Sequence, residues 1–405
     1  MSRVILHCDC NGFFASVETV LNPAYKDVPM AVCGSVEARH GIVLAKNELA
    51  KKYGIQTAET VYSAKRKCPG LVIAEPHHEE YLKFSKRVNE IYARYTDLIE
   101  PFGIDESWLD VTASRKLFGT GEEIAAKIRE DVKREIGITV SVGISFNKVF
   151  AKLGSDYKKP DAQTLISEEN YKDIVYPLPV SDLLFVGKKT AEALRAMGVR
   201  TIGQLAAVSE NILKAKFGRG GEMLYKYSRG LDDSPVTSER EEAKSVGNGF
   251  TFRHDLVKPE ECRVGIEYLS DEIARRLRKK GMKCSTVQIT IKDSFLRAIQ
   301  RQRPIDPPSD IAREIAKCAY GILLDEWSDT RAIRMITVTA TNLVHASDVT
   351  EQIDMFSPDL GEGREKLKKR EETIDKIRQK YGAASIIQGA VIESDIGIFD
   401  KSLDK

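Results

Sequence analysis

The sequence predicts an α+β protein of several domains, and three observations lead to that prediction. The chain has 405 residues, enough for two to four domains that each bury a core. Strand and helix patterns follow the order β-α-β-β-α-β over residues 3–144, and again over residues 245–341. Between these stretches, from Pro177 onward, short helical patterns are separated by glycine-bearing turns.

The first stretch has the element order of a ferredoxin-like sheet. Strands are predicted at residues 3–9, 30–33, 41–44, 71–74 and 138–144, and helices at 14–21, 47–53, 60–67, 79–99 and 122–136. Gly54 is expected to end its helix in the left-handed conformation. The succession strand, tight turn, strand is predicted across 98–111, and residues of about 22–75 are expected to form an insertion.

The middle of the chain predicts a helix-hairpin-helix. Residues 185–197 form a turn and a helix, and a second helix starts near Thr201 after the turn at Gly198. Such a turn exposes backbone N–H groups at a helix start, where a phosphate can dock without base readout. Residues 232–244 have no apolar periodicity and predict a linker.

The second α+β stretch and the end of the chain follow. Helices are predicted at 259–281 and 310–327, and strands at 285–292, 296–303 and 333–341. The two-residue period of a strand places Arg297, Arg301 and Arg303 on one face. After residue 345 we expect a tail that contains a charged helix at 365–381.

Composition and cysteine usage are those of a soluble intracellular protein. Hydrophobic residues make up 42% of the chain and charged residues 30%, with a formal net charge of +2. The seven cysteines form no C-x-x-C pair and no signal peptide precedes them, so reduced thiols in the cytoplasm are expected. No apolar run approaches the roughly 20 residues of a transmembrane helix.

Acidic residues stand at the ends of two predicted strands. Asp105 and Glu106 are adjacent at a tight turn, and Asp9 ends the first strand. Two carboxylates at one place repel each other unless a cation lies between them, and oxygen ligands suit Mg²⁺. Alone, the acid pair is also typical of a solvated hairpin turn. With Asp9 it supplies the three carboxylates that can hold two metal ions about 3.5–4 Å apart for phosphoryl transfer.

These two motifs, in this order, resemble the Y-family translesion DNA polymerases, most closely the bacterial DNA polymerase IV (DinB) type. The resemblance continues through residues 41–54, 142–160, 180–206 and 245–341. It implies a right-hand polymerase with a ferredoxin-like palm at 1–165, fingers inserted at about 22–75, a helical thumb at 166–232, a linker at 233–244, an α+β little finger at 245–345 and a tail at 346–405. It also implies template-directed addition of deoxynucleotides to a primer 3′ end, with low fidelity and past lesions.

The resemblance assigns catalytic roles to individual residues. Asp9 and Asp105 would bridge two Mg²⁺ ions, and Glu106 would bind the ion that activates the primer hydroxyl. The backbone carbonyl of Cys10 would bind the nucleotide-bound ion. Phe14 falls on the steric-gate position, where a ring leaves no room for a ribonucleotide 2′-OH.

Further residues would contact the substrates. They are Phe13, Lys51 and Lys159 for the nucleotide, and Gly187, Lys188, Arg297, Arg301 and Arg303 for the DNA backbone. The alternatives are core packing for the phenylalanines, favoured for Phe13, a solvated pair for Lys158 and Lys159, and edge protection for the arginine row.

Several positions depart from the family pattern. The family usually has a Tyr and an Arg in the fingers helix where this chain has Glu48 and Lys51, and Ala45 stands where a Thr is common. Lysine offers phosphate a point charge without the bidentate fork of arginine. Glu48 is expected to pair with Lys52 at i,i+4. Phe185 replaces the usual first glycine of the thumb turn.

A motif in the tail resembles the bacterial sliding-clamp-binding peptide. Its clamp-contacting residues would be Gln352, Ile353, Met355 and Phe356. The expected partners are therefore the clamp (its β subunit), primer-template DNA and deoxynucleoside triphosphates, with a monomeric enzyme. A nucleotide cyclase and a non-catalytic DNA-binding paralogue are the alternatives from other functional classes.

Overall fold

The computed structural model describes residues 3–35, 39, 41–239, 242–327, 331–349 and 358–398, without the side chains of 358–362. The chain divides into two compact units. The first unit is Met1–Gly34 with Ile42–Arg240, and the second is Ser35–Gly41 with Glu241–Lys405.

The first unit contains eight strands and twelve α-helices among its described residues. The strands are β1 (Ile5–Cys10), β2 (Met30–Cys33), β3 (Val43–Lys46), β4 (Val72–Ala74), β5 (Ile99–Pro101), β6 (Glu106–Asp110), β7 (Val140–Ser145) and β8 (Gln163–Ile166). The helices are α1 (Phe13–Leu21), α2 (Glu48–Lys52), α3 (Val61–Lys67), α4 (His78–Tyr92), α5 (Arg115–Phe118), α6 (Gly121–Ile136), α7 (Lys148–Tyr157), α8 (Tyr171–Val175), α9 (Lys188–Ala196), α10 (Ile202–Ala207), α11 (Glu210–Phe217) and α12 (Arg219–Ser228).

Five strands form the central sheet of this unit, in the order β5-β6-β1-β7-β8. β1 lies between β6 and β7 and is antiparallel to both. Because side chains alternate across a strand, Cys8 and Cys10 point into the core shared with α4 and α6. Asp9 points to the opposite face, where α7 lies.

Helix α7 is positioned by its close approach to strand β7 of the central sheet. A Cβ atom on Gly143 of β7 would lie only 1.9 Å from the carbonyl oxygen of Ala151 and 2.4 Å from the backbone nitrogen of Ser155. Glycine is therefore required at this contact. The indole N–H of Trp108 also donates to the carbonyl oxygen of Lys148 at 2.9 Å. These contacts hold α7 against the same face of the sheet as Asp9.

Two smaller cores complete the first unit. A three-stranded sheet in the order β3-β2-β4 packs with α2 and α3 and lies within residues 22–75. Helices α8 to α12 share a core with Phe150 and Leu153 of α7, so the helical region is anchored on the same helix that faces Asp9.

The second unit has four strands and four helices among its described residues. They are β9 (Ser245–Leu256), α13 (Pro259–Lys279), β10 (Met282–Asp293), β11 (Ala298–Ser309), α14 (Ala312–Glu326), β12 (Ile333–His345), α15 (Pro358–Tyr381) and α16 (Gly389–Glu393). The strands form an antiparallel sheet in the order β11-β10-β12-β9, and its core includes residues of α13 and α14.

One helix end differs from the sequence prediction. The helix predicted at 79–99 ends at Tyr92, and the chain then turns back into β5. The hydroxyl of Thr96 donates to the carbonyl oxygen of Asp110 at 2.6 Å and accepts from the backbone N–H of Leu98 at 3.1 Å. This side chain therefore satisfies the N–H of Leu98, which a continued helix would have bonded internally, and ties the segment to β6.

Helix α15 packs against other elements of the second unit. Arg278 of α13 donates to Glu371 and, at 2.7 Å, to Asp375 of α15. The Glu371 carboxylate also accepts the backbone N–H of Ala312 at 3.0 and 3.1 Å. Arg278, Glu371 and Asp375 form the C-terminal ion network, which joins α15 to α13 and α14. The charged helix predicted at 365–381 is present within α15, and its packing partners lie far apart from it in sequence.

All seven cysteines are free thiols, and six of them are buried. Within the part of the chain that the structure describes, no helix has the length and apolar character needed to cross a membrane.

Candidate active site

Strands β1 and β6 bring the predicted acids together. Asp9 stands opposite Glu106 in the strand register, and Asp105 immediately precedes β6. The backbone N–H of Cys10 donates to the carbonyl oxygen of Asp105 at 3.0 Å, which ties this turn to the end of β1. Asp9, Asp105 and Glu106 form the acid cluster, at one end of the central sheet.

The side chains of the acid cluster are not equally close to one another. Ligand atoms of His7, Asp9 and Glu106 lie within 4.8 Å of each other, and no other such group of His, Cys, Asp or Glu occurs among the described residues. Asp105 lies outside that group. A Cβ on Gly103 would lie 3.3 Å from Asp105 Oδ1 and 3.2 Å from Glu106 Cγ. Glycine thus leaves room for both acids.

Two lysines reach the acid cluster. Lys152 Nζ lies 3.1 Å from Asp9 Oδ2 and 2.5 Å from Glu106 Oε2. Lys159 Nζ lies 2.8 Å from the same Asp9 oxygen and 2.6 Å from Asp156 Oδ1. The carboxylates of Asp9 and Glu106 therefore lie around the ammonium groups of these lysines.

The charges around the acid cluster shift its pKa values in opposite directions. Burial, followed by the charges of Asp9 and Glu106, raises the pKa of Asp105 to about 6. Burial also acts to raise the pKa of Glu106, but interactions with His7 and Lys152 outweigh it and lower that pKa to about 2. Asp105 is thus an acid whose charge is poorly compensated, whereas Glu106 is well compensated.

His7 is a member of the site that sequence reasoning missed. Its ring is fully buried, with Nδ1 2.8 Å from Ser155 Oγ and Nε2 3.4 Å from Glu106 Oε2. Burial lowers the pKa of His7, so the ring is neutral near pH 7. The two-residue period of β1 places His7 on the same face as Asp9, and this was the available indication.

Lys152 was also missed. It contacts Asp9 from 143 positions away along the chain, and no local pattern around Lys152 indicates that contact. Its spacing of four residues from Asp156 indicates a shared helix face only.

The two phenylalanines at the start of α1 have different environments. Phe13 is 3% exposed and packs in the core, as its favoured interpretation predicted. The partly buried ring of Phe14 stacks on Tyr81, with centroids 4.1 Å apart and planes at 12°. The Tyr81 hydroxyl donates to the buried Glu18 carboxylate at 2.5 Å. Phe14 is therefore held in one orientation by side chains of α1 and α4.

The exposed residues of α2 pair differently from the prediction. Lys51 Nζ lies 3.6 Å from Glu48 Oε1, and both side chains are more than half exposed. The prediction of a Glu48–Lys52 pair was wrong, since residues three apart on a helix are neighbours just as residues four apart are. Lys46 donates to the Thr57 hydroxyl at 3.1 Å.

The turn before α9 keeps an unusual backbone. Gly187 precedes the helix and Lys188 is its first residue, and the start of the helix carries no side-chain cap. Phe185 has a φ of 66°, the left-handed region that glycine adopts readily and bulky residues avoid. Its ring is 57% exposed, near Tyr227. The glycine-type turn thus persists although a phenylalanine occupies the position.

The predicted arginine row is paired with acids of the second unit. The pairs are Arg297–Asp293 at 3.0 Å, Arg301–Glu326 at 2.9 Å and Arg303–Asp325 at 2.5 Å. All three guanidinium side chains remain substantially exposed. They are thus available to a phosphate that competes with the acids.

The clamp motif at 352–356 lies outside the described residues.

An acid cluster at the end of a mixed, mainly antiparallel sheet, a helix-hairpin-helix in the same unit and a second α+β unit are together the architecture of a right-hand nucleic-acid polymerase. Family models match most of the chain. The impB/mucB/samB family matches residues 8–156, its C-terminal domain matches 243–355, and the DNA polymerase-iota thumb domain matches 181–232.

Individual proteins are similar over nearly the whole chain. DNA polymerase IV of Acetivibrio thermocellus is 48% identical over 395 residues, which cover 97% of this chain and 98% of that protein. DNA polymerase IV 1 of Bacillus subtilis is 36% identical, with 97% and 94% covered. A solved Y-family DNA polymerase chimera of Dbh and Dpo4 has the same fold, with a TM-score of 0.74 at 24% identity over 84% of this chain and 99% of the chimera. The chain therefore belongs to the Y-family of translesion DNA polymerases. This confirms the resemblance, fold class and enzyme class predicted from the sequence.

Proposed function

We propose that Asp9, Asp105 and Glu106 hold two Mg²⁺ ions and use them to transfer a deoxynucleotide to a primer 3′ end. The observation that carries this proposal is the β1–β6 register, which sets Asp9 opposite Glu106 with Asp105 at the adjoining turn. Oxygen ligands are those that Mg²⁺ prefers. The position of Lys152 Nζ, 3.1 Å from Asp9, also supports it, because a cation is favourable at these oxygens.

When bound, the ions would lower the pKa of the primer hydroxyl and neutralise charge on the triphosphate and the leaving pyrophosphate. The chain's own residues would bind and orient them. Asp9 and Asp105 would bind both ions. Glu106 would bind the ion that activates the primer hydroxyl, and the Cys10 carbonyl would bind the nucleotide-bound ion. The raised pKa of Asp105, about 6, supports this role, because a nearby dication would compensate its poorly neutralised charge.

We propose that Phe14, Lys159 and Lys51 bind the incoming nucleotide. The stacking of Phe14 on Tyr81 supports a gate role, since a wall that excludes a 2′-OH has to be rigid. Phe14→Ala should raise ribonucleotide incorporation sharply relative to deoxynucleotide incorporation. Unchanged sugar selectivity in single-nucleotide extension would reduce Phe14 to a packing residue. Phe13, buried beside it, would support the gate from the core.

We propose that two groups of residues bind the DNA backbone. They are Gly187 and Lys188 at the start of α9, and the row Arg297, Arg301 and Arg303. The uncapped N–H groups of α9 support a phosphate contact, which carries no sequence information. The arginines would exchange their acid partners for phosphates, so their contribution should fall with salt. Such sequence-independent contacts suit a polymerase that extends past damaged bases.

We also propose that Gln352, Ile353, Met355 and Phe356 bind the sliding clamp. A short segment with apolar anchors and a terminal Gln suits an apolar pocket with a polar rim. A second weak contact would raise the polymerase concentration at the primer end. Changing Gln352, Met355 and Phe356 to Ala should leave basal extension intact and remove stimulation by the clamp. Stimulation that survives the triple change would place the contact elsewhere.

Primer extension with Mg²⁺ and all four deoxynucleotides tests the central proposal. Asp105→Ala combined with Glu106→Ala should abolish extension, because a two-metal site without two ligands loses orders of magnitude in rate. Binding of primer-template DNA should stay nearly unchanged, since the backbone contacts lie elsewhere. Activity above about a tenth of the unmodified enzyme would contradict the assignment, because such losses are far larger at true metal sites.

A further inference from the structure

Lys152 contacts two carboxylates of the acid cluster. Its ammonium contacts Asp9 Oδ2 at 3.1 Å and Glu106 Oε2 at 2.5 Å, and its side chain is only 17% exposed. These are oxygens of two carboxylates assigned above as Mg²⁺ ligands. Mg²⁺ binds oxygen at about 2.0–2.1 Å and holds its ligands in near-octahedral directions. An ammonium and a dication cannot both use the same lone pairs.

A third carboxylate lies beside this contact. Asp156 is one helical turn after Lys152 on α7, and its Oδ2 lies 3.5 Å from Lys152 Nζ. Its side chain is 48% exposed, so Asp156 lies at the solvent side of the group. Its other oxygen contacts Lys159 Nζ at 2.6 Å. A small rotation of the Lys152 side chain can therefore move its ammonium from the acid cluster to Asp156 without leaving a negatively charged environment.

We propose that Lys152 is a built-in counter-cation of the acid cluster, which Mg²⁺ displaces onto Asp156 when it binds. Lys152 compensates the repulsion of the acids before the ion arrives, and it competes with the ion afterwards. Metal affinity is thereby kept moderate. Asp156 is a positioning residue, because it receives the displaced ammonium and touches no reacting atom. The inference rests on the proposed metal role of Asp9 and Glu106.

Thermal unfolding of the full chain during a titration with MnCl₂ or MgCl₂ tests this exchange without any activity measurement. An ion that binds only the folded state raises Tm according to its concentration and Kd. Lys152→Met keeps the length of the side chain and removes its charge. The variant should have a lower Tm in EDTA, and its metal response should begin at a concentration at least about tenfold lower, because a competing charge near 3 Å is gone.

The partner variant separates exchange from general electrostatics. Asp156→Asn should shift the metal response to a several-fold higher concentration, since the displaced ammonium loses its receiving carboxylate. In the Lys152→Met background, the same change should have a much smaller effect, because no ammonium remains to be received. Equal effects of Asp156→Asn in both backgrounds would overturn the exchange.

Two controls make the outcome unambiguous. Lys158→Met removes a neighbouring lysine, one that makes no ion pair among the described residues, and should leave the metal response unchanged. Lys152→Gln provides a second neutral variant if Lys152→Met does not fold. If the unmodified chain and the neutral variants respond to metal at the same concentration, the role of Lys152 as a counter-cation is overturned but the metal site is not. An unmodified chain without any metal response would overturn the proposed metal site itself.

Discussion

Two buried groups of charged side chains, one in each unit, differ in how completely the chain neutralises them. In the C-terminal ion network, Arg278 contacts both Glu371 and Asp375, and Glu371 also accepts a backbone N–H of α14. In the acid cluster, Asp105 is left with a pKa raised to about 6 by burial and by its acidic neighbours. Burial raises the pKa of Glu371 as well, but Arg278 and the backbone N–H of Ala312 act against that rise, so this network finds its partners within the chain and holds structure together. A group with uncompensated charge is suited to an external cation.

The largest stability effect is expected in the C-terminal ion network. Glu371→Ala leaves Arg278 buried without its closest partner and an N–H of α14 without an acceptor, so the free energy of unfolding should fall by about 3 kcal/mol or more. Thermal unfolding measures the loss, with the exposed Glu372→Ala as control. The metal response of Tm should not change. A loss below about 1 kcal/mol is typical of surface ion pairs. It would show that the C-terminal ion network does not hold the structure together.

In the acid cluster, neutralising the carboxylate of Asp105 should raise the free energy of unfolding rather than lower it. The folded pKa of Asp105 is raised, so its ionisation costs stability as the pH rises from about 4 to about 6. Asp105→Asn should therefore stabilise the metal-free protein at pH 7 by on the order of 1–3 kcal/mol, with no gain below about pH 4.

Glu106→Gln is the internal control for this sign. The folded pKa of Glu106 is lowered to about 2, so its ionised form contributes stability above its ordinary pKa, and that contribution is lost as the pH falls toward 2. The neutral variant should thus be less stable at pH 7. Thermal unfolding in EDTA across pH 4 to 8 measures both variants. If both changes destabilise the protein at pH 7, the acid cluster is a compensated structural group like the C-terminal ion network.

The smallest effects are expected at the lysines assigned to the triphosphate. Lys159→Ala should raise the nucleotide KM more than Lys51→Ala does. The Lys159 side chain is 27% exposed beside the acid cluster, whereas Lys51 is 56% exposed and pairs with Glu48. Each change should cost several-fold in KM, and Glu48→Tyr should be neutral or favourable. Steady-state kinetics that separate KM from kcat test the order. A severe loss in Glu48→Tyr would give Glu48 a role of its own.

Local patterns predicted a large part of the fold. The turn at Gly54 and the strands β1, β2, β4, β7, β10 and β12 follow from short-range preferences and strand periodicity, whereas β8 and β9 were not among the predicted strands. The family resemblance rests on the same short motifs, and the comparisons confirmed it. The helix predicted at 79–99 was too long, because its apolar spacing continues while Thr96 bonds to a carbonyl of β6.

The sequence by itself determined which residues carry charge and which elements they stand on, because helix and strand periods act over a few residues. Only the tertiary structure decided which charges meet. Lys152 reaches Asp9 because Gly143 lets α7 lie directly on the sheet, and Glu371 reaches Arg278 because α15 folds back on α13. Such contacts join residues tens to more than a hundred positions apart. Their energy depends on burial and distance, which exist only once the chain is folded.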